Sequence, residues 1–302
     1  MNAVAETWQA PAPAATPTSD RKLLVGLIGA GIQQSLTPAM QEHEAWAQGL
    51  RMHYQLIDLD LTGADASHLP TLLAAARTMG FAGLNITYPC KQAVIPLLDA
   101  LSDEASAMGA VNTVVLREGR LVGHNTDGSG WAWGFRRALP DSDLRCVVLL
   151  GAGGAGSAIA HAVMRLGAHR LRIVDSDSAR AQGLAHALNA RYGQRAEGTT
   201  EITQAMDGAS GLIHATPTGM AKLPGLPLPI ELLHPSMWVS EVVYFPIETE
   251  LLSAARARGC RVVDGGTMAV GQAIGAFEHF TGLAADPTRM EQHFHRLIAE
   301  RT

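Results

Sequence analysis

Two polar segments of the chain carry a lysine and an aspartate that could form one reactive site. Lys91 follows Asn85 and Thr87 in "GLNITYPCKQ", while Asn112 lies in "GAVNTVV" and Asp127 in "GHNTDGSG". A lysine that meets an aspartate in a cleft can transfer a proton near neutral pH, whereas a lysine by itself is usually a solvated surface group. Asparagine side chains both donate and accept hydrogen bonds, so they suit recognition of hydroxyl groups. Together with the dinucleotide turn and the anion-holding loop described below, the set predicts oxidation of a secondary alcohol on a polyhydroxylated carboxylic acid.

A glycine-rich turn later in the chain is typical of dinucleotide sites. The segment "VVLLGAGGAGSAIA" contains G-x-G-x-x-G at Gly151, Gly153 and Gly156, between a predicted strand and a predicted helix. The first glycine allows a tight turn, the second lets a pyrophosphate approach, and the third permits close packing of helix and strand. The pyrophosphate would then bind the free N–H groups at the helix N-terminus. A turn of this kind with no ligand is the alternative.

The strand after this turn ends at Asp175, where an acid would hydrogen-bond the adenosine ribose. The residues there are Asp175-Ser176-Asp177, and two carboxylates would repel the 2′-phosphate of NADP. NAD is therefore favoured over NADP as the cofactor. Arg180 could stack on the adenine or be a solvated helix residue, and Asp177 is expected to cap the helix that starts at Ser178.

An earlier turn, in "LLVGLIGAGIQQSLTP", is predicted not to bind a nucleotide. Gln34 stands where the third glycine is needed, and Pro38 delays the helix, with Thr37 as its expected N-cap. Asp58 resembles a ribose acid, but nothing positions a pyrophosphate for it. The hydroxyls of Ser35 and Thr37 beside the helix N-terminus can instead hold a small anion such as a carboxylate. The alternative is that they serve only the loop and the cap.

Alternating strands and helices must position these groups. From Lys22 onward the order is βαβαβ followed by a hairpin, which predicts a mixed α/β sheet, and further α/β alternation follows Asn125. The last two helices are amphipathic and are expected to cover the first sheet. The predicted strands include Leu23–Ile28, Tyr54–Leu59, Phe81–Ile86, Ala110–Arg117, Arg120–Gly123, Gly211–His214, Met237–Val243 and Arg261–Val263. The predicted helices include Ala39–Gln48, Ser67–Met79, Lys91–Leu98, Ala179–Tyr192, Ile202–Met206, Glu248–Gly259, Met268–Thr281 and Pro287–Arg301.

Composition narrows the functional class further. A chain of 302 residues can form two domains, and a net charge of −5 without a basic cluster gives no case for nucleic-acid binding. No apolar run approaches the roughly 20 residues that span a membrane. Three scattered cysteines suit a cytoplasmic protein, and the twelve histidines lack metal-binding spacing, so no metal is expected. Residues 1–20, rich in Ala, Pro and Thr, are expected to form a disordered tail.

Several motifs of the chain, in the order in which they occur, resemble those of the shikimate/quinate dehydrogenase family. They are "SLTP", "NITYPCKQ", "GAVNTVV", "GHNTDGSG", "GAGGAG", "HATPTGM", "VVYFPIETELL" and "DGGTMAVGQA". The similarity runs from about Leu23 to the C-terminus and is strongest toward the NAD-dependent quinate/shikimate members. It implies a fold of two α/β domains, with a mixed N-terminal substrate domain (21–126 plus 266–302) and a Rossmann doubly wound NAD-binding domain (127–265).

The resemblance also implies the reaction and the residues that carry it out. A ring C3 hydroxyl is interconverted with a ketone, and Lys91, paired with Asp127, takes the hydroxyl proton while hydride leaves for the nicotinamide. Quinate and shikimate are the expected small-molecule substrates, and the protein is expected to be a monomer or a homodimer. The implied substrate-binding residues are Ser35 and Thr37 at the carboxylate and Asn85, Thr87, Asn112, Tyr244 and Gln272 around the ring. The expected cofactor-binding residues are Gly151, Ala152, Gly153, Gly154, Ala155, Asp175, Arg180, Thr216, Val243 and Gly265.

Departures from the family pattern bear on the substrate and the cofactor. Biosynthetic members usually have S-x-S-P, whereas this chain has Ser35-Leu36-Thr37-Pro38, a form that resembles quinate-using members. His214 stands where the family usually has asparagine, and Asp175-Ser176-Asp177 replaces an Asn-Arg-Thr type of sequence associated with NADP. NAD-dependent oxidation of quinate is the preferred hypothesis. The alternatives are a biosynthetic enzyme that reduces 3-dehydroshikimate, a relative acting on an altered cyclitol acid, and a non-enzymatic ligand sensor.

Overall fold

Two six-stranded sheets, formed one after the other along the chain, organise the protein. The computed structural model describes residues 22–301, so the predicted tail at 1–20 lies outside the described residues. The strands are β1 (Lys22–Gly29), β2 (Arg51–Asp58), β3 (Gly83–Ile86), β4 (Ala100–Leu101), β5 (Thr113–Arg117), β6 (Arg120–His124), β7 (Cys146–Leu150), β8 (Arg170–Val174), β9 (Ala196–Thr199), β10 (Gly211–His214), β11 (Trp238–Glu241) and β12 (Arg261–Val263).

Helices cover the sheets and connect their strands. They are α1 (Thr37–Ala47), α2 (Leu59–Thr62), α3 (Leu69–Met79), α4 (Cys90–Ala93), α5 (Asp103–Met108), α6 (Asp127–Ala138), α7 (Gly154–Arg165), α8 (Ser178–Tyr192), α9 (Ile202–Met206), α10 (Glu250–Ala257), α11 (Gly265–Thr281) and α12 (Pro287–Ala299), with short 3₁₀ turns at Ala66–His68, Ile95–Leu97 and Ile230–Leu232. Within the described chain, no helix has both the length and the apolar character that a bilayer span requires.

The first sheet is mixed. Its strand order is β2-β1-β3-β5-β6-β4, in which β2, β1 and β3 are parallel and β5 runs antiparallel to both β3 and β6. The ends of β1, β3 and β6 and the start of β5 therefore meet at one edge of the sheet. That edge carries the loops after Gly29, Ile86 and His124, which hold most of the polar groups singled out in the sequence.

The second sheet is parallel throughout, with the order β12-β11-β10-β7-β8-β9. Numbered within the sheet this is 3-2-1-4-5-6 read from β9, the doubly wound Rossmann order, whose switch point lies between β7 and β10. Side chains of β7 alternate between its two faces. Val147 and Leu149 pack under α6, α7 and α8, and Val148 and Leu150 pack toward α9 and α10. The fold is thus α/β with a mixed sheet followed by a Rossmann sheet.

The last two helices return to the first sheet. Phe277 of α11 and Phe294 of α12 pack with Leu23 of β1, and Phe280 packs with Val25 on the same strand. Helix α11 also lies against α6 so closely that a Cβ on Gly130 would come within 2.8 Å of the Cα of Gln272. This contact joins the end of the chain to the helix that starts at Asp127.

Two local expectations were wrong. The predicted helix over Lys91–Leu98 is split into α4 and a 3₁₀ turn at Ile95–Leu97, because Pro96 has no N–H to continue an α-helix. Thr37 is not the N-cap of α1. Leu36 occupies that position without a side-chain bond, and Thr37 is already helical.

Candidate active site

The lysine and the aspartate are in direct contact. Lys91, in the short helix after β3, donates from Nζ to Oδ2 of Asp127, the first residue of α6, at 2.5 Å. The side chain of Lys91 is 22% exposed and that of Asp127 is 7% exposed, so the pair opens to solvent through the lysine. Water screens such a partly buried pair less than it screens a surface ion pair. A bound hydroxyl group could therefore reach Nζ while the carboxylate stays covered.

Asn112 fixes the other oxygen of the carboxylate. Its Nδ2 donates to Asp127 Oδ1 at 2.9 Å and to Thr126 Oγ1 at 3.0 Å, and its Oδ1 accepts from the Thr126 backbone N–H at 2.8 Å. Asn125 Oδ1 accepts from the Asp127 N–H at 3.0 Å. Both amide hydrogens of Asn112 are thus used by the protein. In this arrangement, Asn112 holds Asp127 in place for Lys91.

A second amide lies beside this one on β3. Asn85 Nδ2 donates to the Asn112 carbonyl at 3.2 Å and to Thr113 Oγ1 at 3.0 Å, and Asn85 Oδ1 accepts from the Tyr54 hydroxyl at 2.7 Å. Burial raises the pKa of Tyr54, which keeps its hydroxyl a neutral donor. Sequence reasoning missed Tyr54, because β2 joins this site only through strand pairing across β1. Tyr54 uses one of the two acceptor positions of the Asn85 amide oxygen.

The loop with two hydroxyls lies at the same sheet edge. Thr37 donates its backbone N–H to Ser35 Oγ at 3.3 Å, which brings the two residues together at the start of α1. The N-cap residue Leu36 has no side chain that could hydrogen-bond to the first turn of α1. Arg301 Nη1 donates to the Gln34 carbonyl at 2.7 Å and ties this loop to the end of the chain.

The early glycine turn is closed to a pyrophosphate. Asp58 accepts from the N–H groups of Gly31 and Ile32 at 3.0 and 3.1 Å, so this acid holds the turn itself. A Cβ on Gly31 would lie 3.3 Å from the Asp60 carboxylate, and one on Gly29 would overlap the Thr87 methyl. A phosphate there would meet a negative charge and a filled space. The same contact brings Thr87 next to the Ser35 loop.

The later glycine turn is open at the corresponding place. Gly151 has φ +99°, and a Cβ on it would lie 2.7 Å from the Ala215 carbonyl oxygen. A Cβ on Gly156 would overlap the Gly151 carbonyl, whereas a Cβ on Gly153 meets no atom within 4 Å. The first and third glycines are therefore required by packing, and the second leaves room for a ligand. The first N–H groups of α7, which include those of Gly154 and Ala155, have no partners within the helix.

The acidic segment after β8 is attached to this turn. Asp175 accepts from the Ala152 N–H at 2.7 Å and from the Asp177 N–H at 2.9 Å. Asp177 caps α8, as predicted, by accepting from the N–H groups of Ala179 and Arg180. The Arg180 guanidinium lies 3.4 Å from the Asp177 carboxylate on the surface. The Asp175 carboxylate is thus bonded to the turn itself, whereas the Arg180 guanidinium is paired with Asp177 outside it.

The two sheets bring their polar edges together at Lys91. A Cβ on Gly154, in the first turn of α7, would lie 3.8 Å from Lys91 Cδ. Thr126, beside Asp127, donates from Oγ1 to the Gln272 carbonyl at 3.1 Å, which places α11 at the same point. The Lys–Asp pair therefore lies beside the first turn of α7, where the open glycine turn ends.

The remaining predicted residues line this region to different degrees. The Thr216 methyl lies against Gly151, and the carbonyl of Val243 crowds Gly265 at the start of α11. Tyr244 packs on Phe294, with ring centroids 6.4 Å apart, and burial raises the pKa of its hydroxyl, an effect opposed by Arg301. No group of three or more His, Cys, Asp or Glu side chains within residues 22–301 is arranged to hold a metal ion.

Comparison with known proteins gives the relationship of this chain. Residues 27–114 match the family model for the shikimate dehydrogenase substrate binding domain. A Streptomyces avermitilis protein named shikimate dehydrogenase (NADP(+)) is 56% identical over 270 residues, which cover 88% of this chain and 93% of the relative. A Corynebacterium efficiens protein named quinate/shikimate dehydrogenase (NAD(+)) is 48% identical over 276 residues, covering 90% of this chain and 97% of the relative.

A solved structure of a protein with a related name has the same fold as this chain. Quinate dehydrogenase from Corynebacterium glutamicum in complex with NAD superposes with a TM-score of 0.86 at 46% identity, covering 92% of this chain and all of that one. At this coverage the likeness extends over both sheets. The chain belongs to the shikimate/quinate dehydrogenase family of oxidoreductases.

Proposed function

We propose that the protein oxidises the C3 hydroxyl of quinate, and of shikimate, to a ketone in a reversible reaction with NAD. One observation carries the proposal: Lys91 and Asp127 are 2.5 Å apart and face Gly154 of the open glycine turn. A proton acceptor beside a dinucleotide turn suits removal of a proton and a hydride from one carbinol. The names of the relatives support a shikimate or quinate substrate and a nicotinamide dinucleotide.

The open glycine turn at Gly151–Gly156 has space for a dinucleotide. Gly153 leaves open space, and the N-terminal N–H groups of α7 point toward it without helical partners. Asp175, fixed at the turn by Ala152, would accept from the ribose hydroxyls, and Arg180, Thr216, Val243 and Gly265 would line the remainder. When bound, NAD supplies the acceptor for the hydride.

Lys91 performs the proton transfer in this proposal. Its neutral amine accepts the substrate hydroxyl proton as the C–H bond breaks, and the ammonium that forms is stabilised by Asp127 Oδ2. Asn112 and Asn125 hold Asp127 through Oδ1 and its backbone N–H, so the carboxylate stays aimed at Lys91. In the reverse direction, the ammonium returns the proton to the ketone oxygen.

Substrate recognition is divided between the loop and the sheet edge. Ser35 and Thr37 would hold the carboxylate, and Asn85 and Thr87 would bind ring hydroxyls. Among the other residues, Tyr244 and Gln272 would line the pocket. The Thr37 methyl changes the pocket relative to a serine, and the resemblance of Ser35-Leu36-Thr37-Pro38 to quinate-using members supports our preference for quinate. We further propose that 21–126 with 266–302 is the substrate domain and that 127–265 is the dinucleotide domain.

A biosynthetic shikimate dehydrogenase is the second candidate. The 56% identity to a relative named for NADP(+) favours it. It differs from our proposal in cofactor and direction, and not in the roles of Lys91 and Asp127. Asp175 and Asp177 oppose it, because both would lie near a 2′-phosphate.

Substitution of Lys91 tests the proposal. Lys91→Arg keeps a cation beside Asp127, but a guanidinium stays protonated and cannot accept the proton. We expect Lys91→Arg and Lys91→Ala each to lower kcat for quinate oxidation by about 10²- to 10⁴-fold, the usual contribution of a general base. NADH binding should persist in both variants. Lys22→Ala is the matched control, since Lys22 is exposed and begins β1 at the far edge of the sheet. Turnover by Lys91→Arg at the wild-type rate would contradict the role of Lys91.

A further inference from the structure

A buried histidine–glutamate pair lies directly behind the proposed cofactor turn. His214 ends β10 and Glu241 ends β11, and the two residues are register partners in the parallel sheet. Their side chains are both 0% exposed, with His214 Nδ1 2.9 Å from Glu241 Oε1. Charged side chains are almost never fully buried unless they are paired. The reaction proposed above uses neither residue.

The pair belongs to one continuous chain of hydrogen bonds. Glu241 accepts at Oε1 from the Val242 and Val243 N–H groups, at 2.8 and 3.0 Å, and at Oε2 from the Thr249 hydroxyl at 3.1 Å. On the other side, His214 Nε2 lies 2.5 Å from Thr216 Oγ1. His214 therefore joins Glu241, through Nδ1, to the Thr216 hydroxyl, through Nε2.

Both ends of this chain reach the walls of the proposed dinucleotide site. The Thr216 methyl would lie 3.0 Å from a Cβ on Gly151, the first glycine of the turn. The carbonyl oxygens of Val242 and Val243 crowd Gly265, where α11 begins. The hydrogen bonds of His214 and Glu241 therefore fix the rotamer of Thr216 and the path of the backbone through Val243.

We propose that His214 and Glu241 are positioning residues that shape the cofactor wall through Thr216 and Val243. The inference rests on the proposed dinucleotide site and goes beyond it in assigning a role to a pair that touches neither the substrate nor the Lys91–Asp127 pair. Their effect is on coenzyme affinity. Recognition of the substrate, at the edge of the first sheet, is independent of them.

Two substitutions of Thr216 test the first link. Thr216→Ser keeps the hydroxyl that meets His214 and removes the methyl, whereas Thr216→Val keeps the branched shape and removes the hydroxyl. Loss of one hydrogen bond corresponds to about a three- to tenfold change in affinity. We expect the KM for NAD and the Kd for NADH to rise by about that factor in Thr216→Val, while Thr216→Ser stays closer to the wild type. The KM for quinate should stay within about twofold in both.

A double-mutant cycle tests the link to the histidine. His214→Gln alone should raise the KM for NAD by about tenfold, but in a Thr216→Val background it should add less than about twofold, because the path is already broken. Arg289→Met serves as a destabilised control. Arg289 lies on α12 and pairs with Glu44 of α1, and it takes no part in the hydrogen bonds of His214 and Glu241. The substitution should lower the Tm without raising the KM for NAD.

Three results would overturn the inference. They are wild-type NADH affinity in Thr216→Val, additive effects of the two substitutions, or a rise in the KM for NAD in Arg289→Met equal to that in His214→Gln. If His214→Gln does not fold, the Thr216 variants still decide the matter. Wild-type protein that binds neither NADH nor NADPH would overturn the proposed function as well, which separates the two failures.

Discussion

The preference between NAD and NADP should depend on the charge of Asp175. Its carboxylate is held at the glycine turn by the Ala152 N–H at 2.7 Å and cannot swing far from a ribose bound there. Two unit charges about 5 Å apart repel by about 3 kcal/mol at an effective dielectric constant near 20. Because Asp175 is only half-buried, screening by solvent leaves a repulsion of about 2–3 kcal/mol between its carboxylate and a 2′-phosphate. This energy corresponds to a preference for NAD over NADP of roughly 30- to 150-fold in kcat/KM.

Asp175→Asn is the informative change, because the amide oxygen can still accept from Ala152 while the charge is lost. We expect the ratio of kcat/KM for NAD to kcat/KM for NADP to fall by roughly 30- to 150-fold in initial-rate assays at fixed quinate. Asp177→Asn should have a smaller effect, since Asp177 is 48% exposed and already faces Arg180. Equal changes with both coenzymes, or a wild-type preference for NADP, would refute this reasoning.

Three further perturbations follow from particular contacts. Gly156→Ala should abolish NADH binding in a fluorescence titration, because its Cβ would overlap the Gly151 carbonyl. Gly183→Ala is the matched control. A Cβ at Gly183, on an open face of α8, meets no atom, so this substitution should raise the free energy of unfolding by about 0.5–1 kcal/mol. Arg289→Met should lower the free energy of unfolding in urea by about 3–5 kcal/mol, because Glu44 is 0% exposed and would lose both guanidinium bonds; a cost below about 1 kcal/mol would argue against this pair. Burial lowers the pKa of His161 from 6.5 to about 4, so the unfolded state binds more protons and stability should fall as the pH drops from 6.5 toward 4. In His161→Met this slope should flatten by up to about 1.4 kcal/mol per pH unit, and an unchanged slope would contradict the assignment.

Local pattern predicts the parts of the fold that depend on neighbouring residues in sequence. The glycine turn at Gly151–Gly156 and the cap at Asp177 are both set within a few residues, and the structure has them as expected. Helix α5 was missed, although Ser102 followed by Asp103 and Glu104 is a common start: Ser102 Oγ accepts from the Ala105 N–H.

Contacts between side chains on different strands could not be predicted from the spacing of residues along the sequence. Tyr54 reaches Asn85 only because β2 and β3 flank β1, and His214 meets Glu241 only because β10 and β11 pair in register. The sequence does identify Lys91 and Asp127 as candidates, but their contact depends on β3 and β6 ending at one edge. The residue type of Thr37 and its proline neighbour predict an N-cap at Thr37, but Leu36 takes that position.

A steady-state kinetic matrix of the purified protein, with quinate and shikimate as substrates and NAD and NADP as coenzymes, distinguishes the two candidate functions. We predict turnover with both substrates and the highest kcat/KM for quinate with NAD. A highest value for shikimate with NADP would contradict the assignments based on Thr37 and Asp175. Absence of turnover in all four combinations would contradict the proposed dehydrogenase activity.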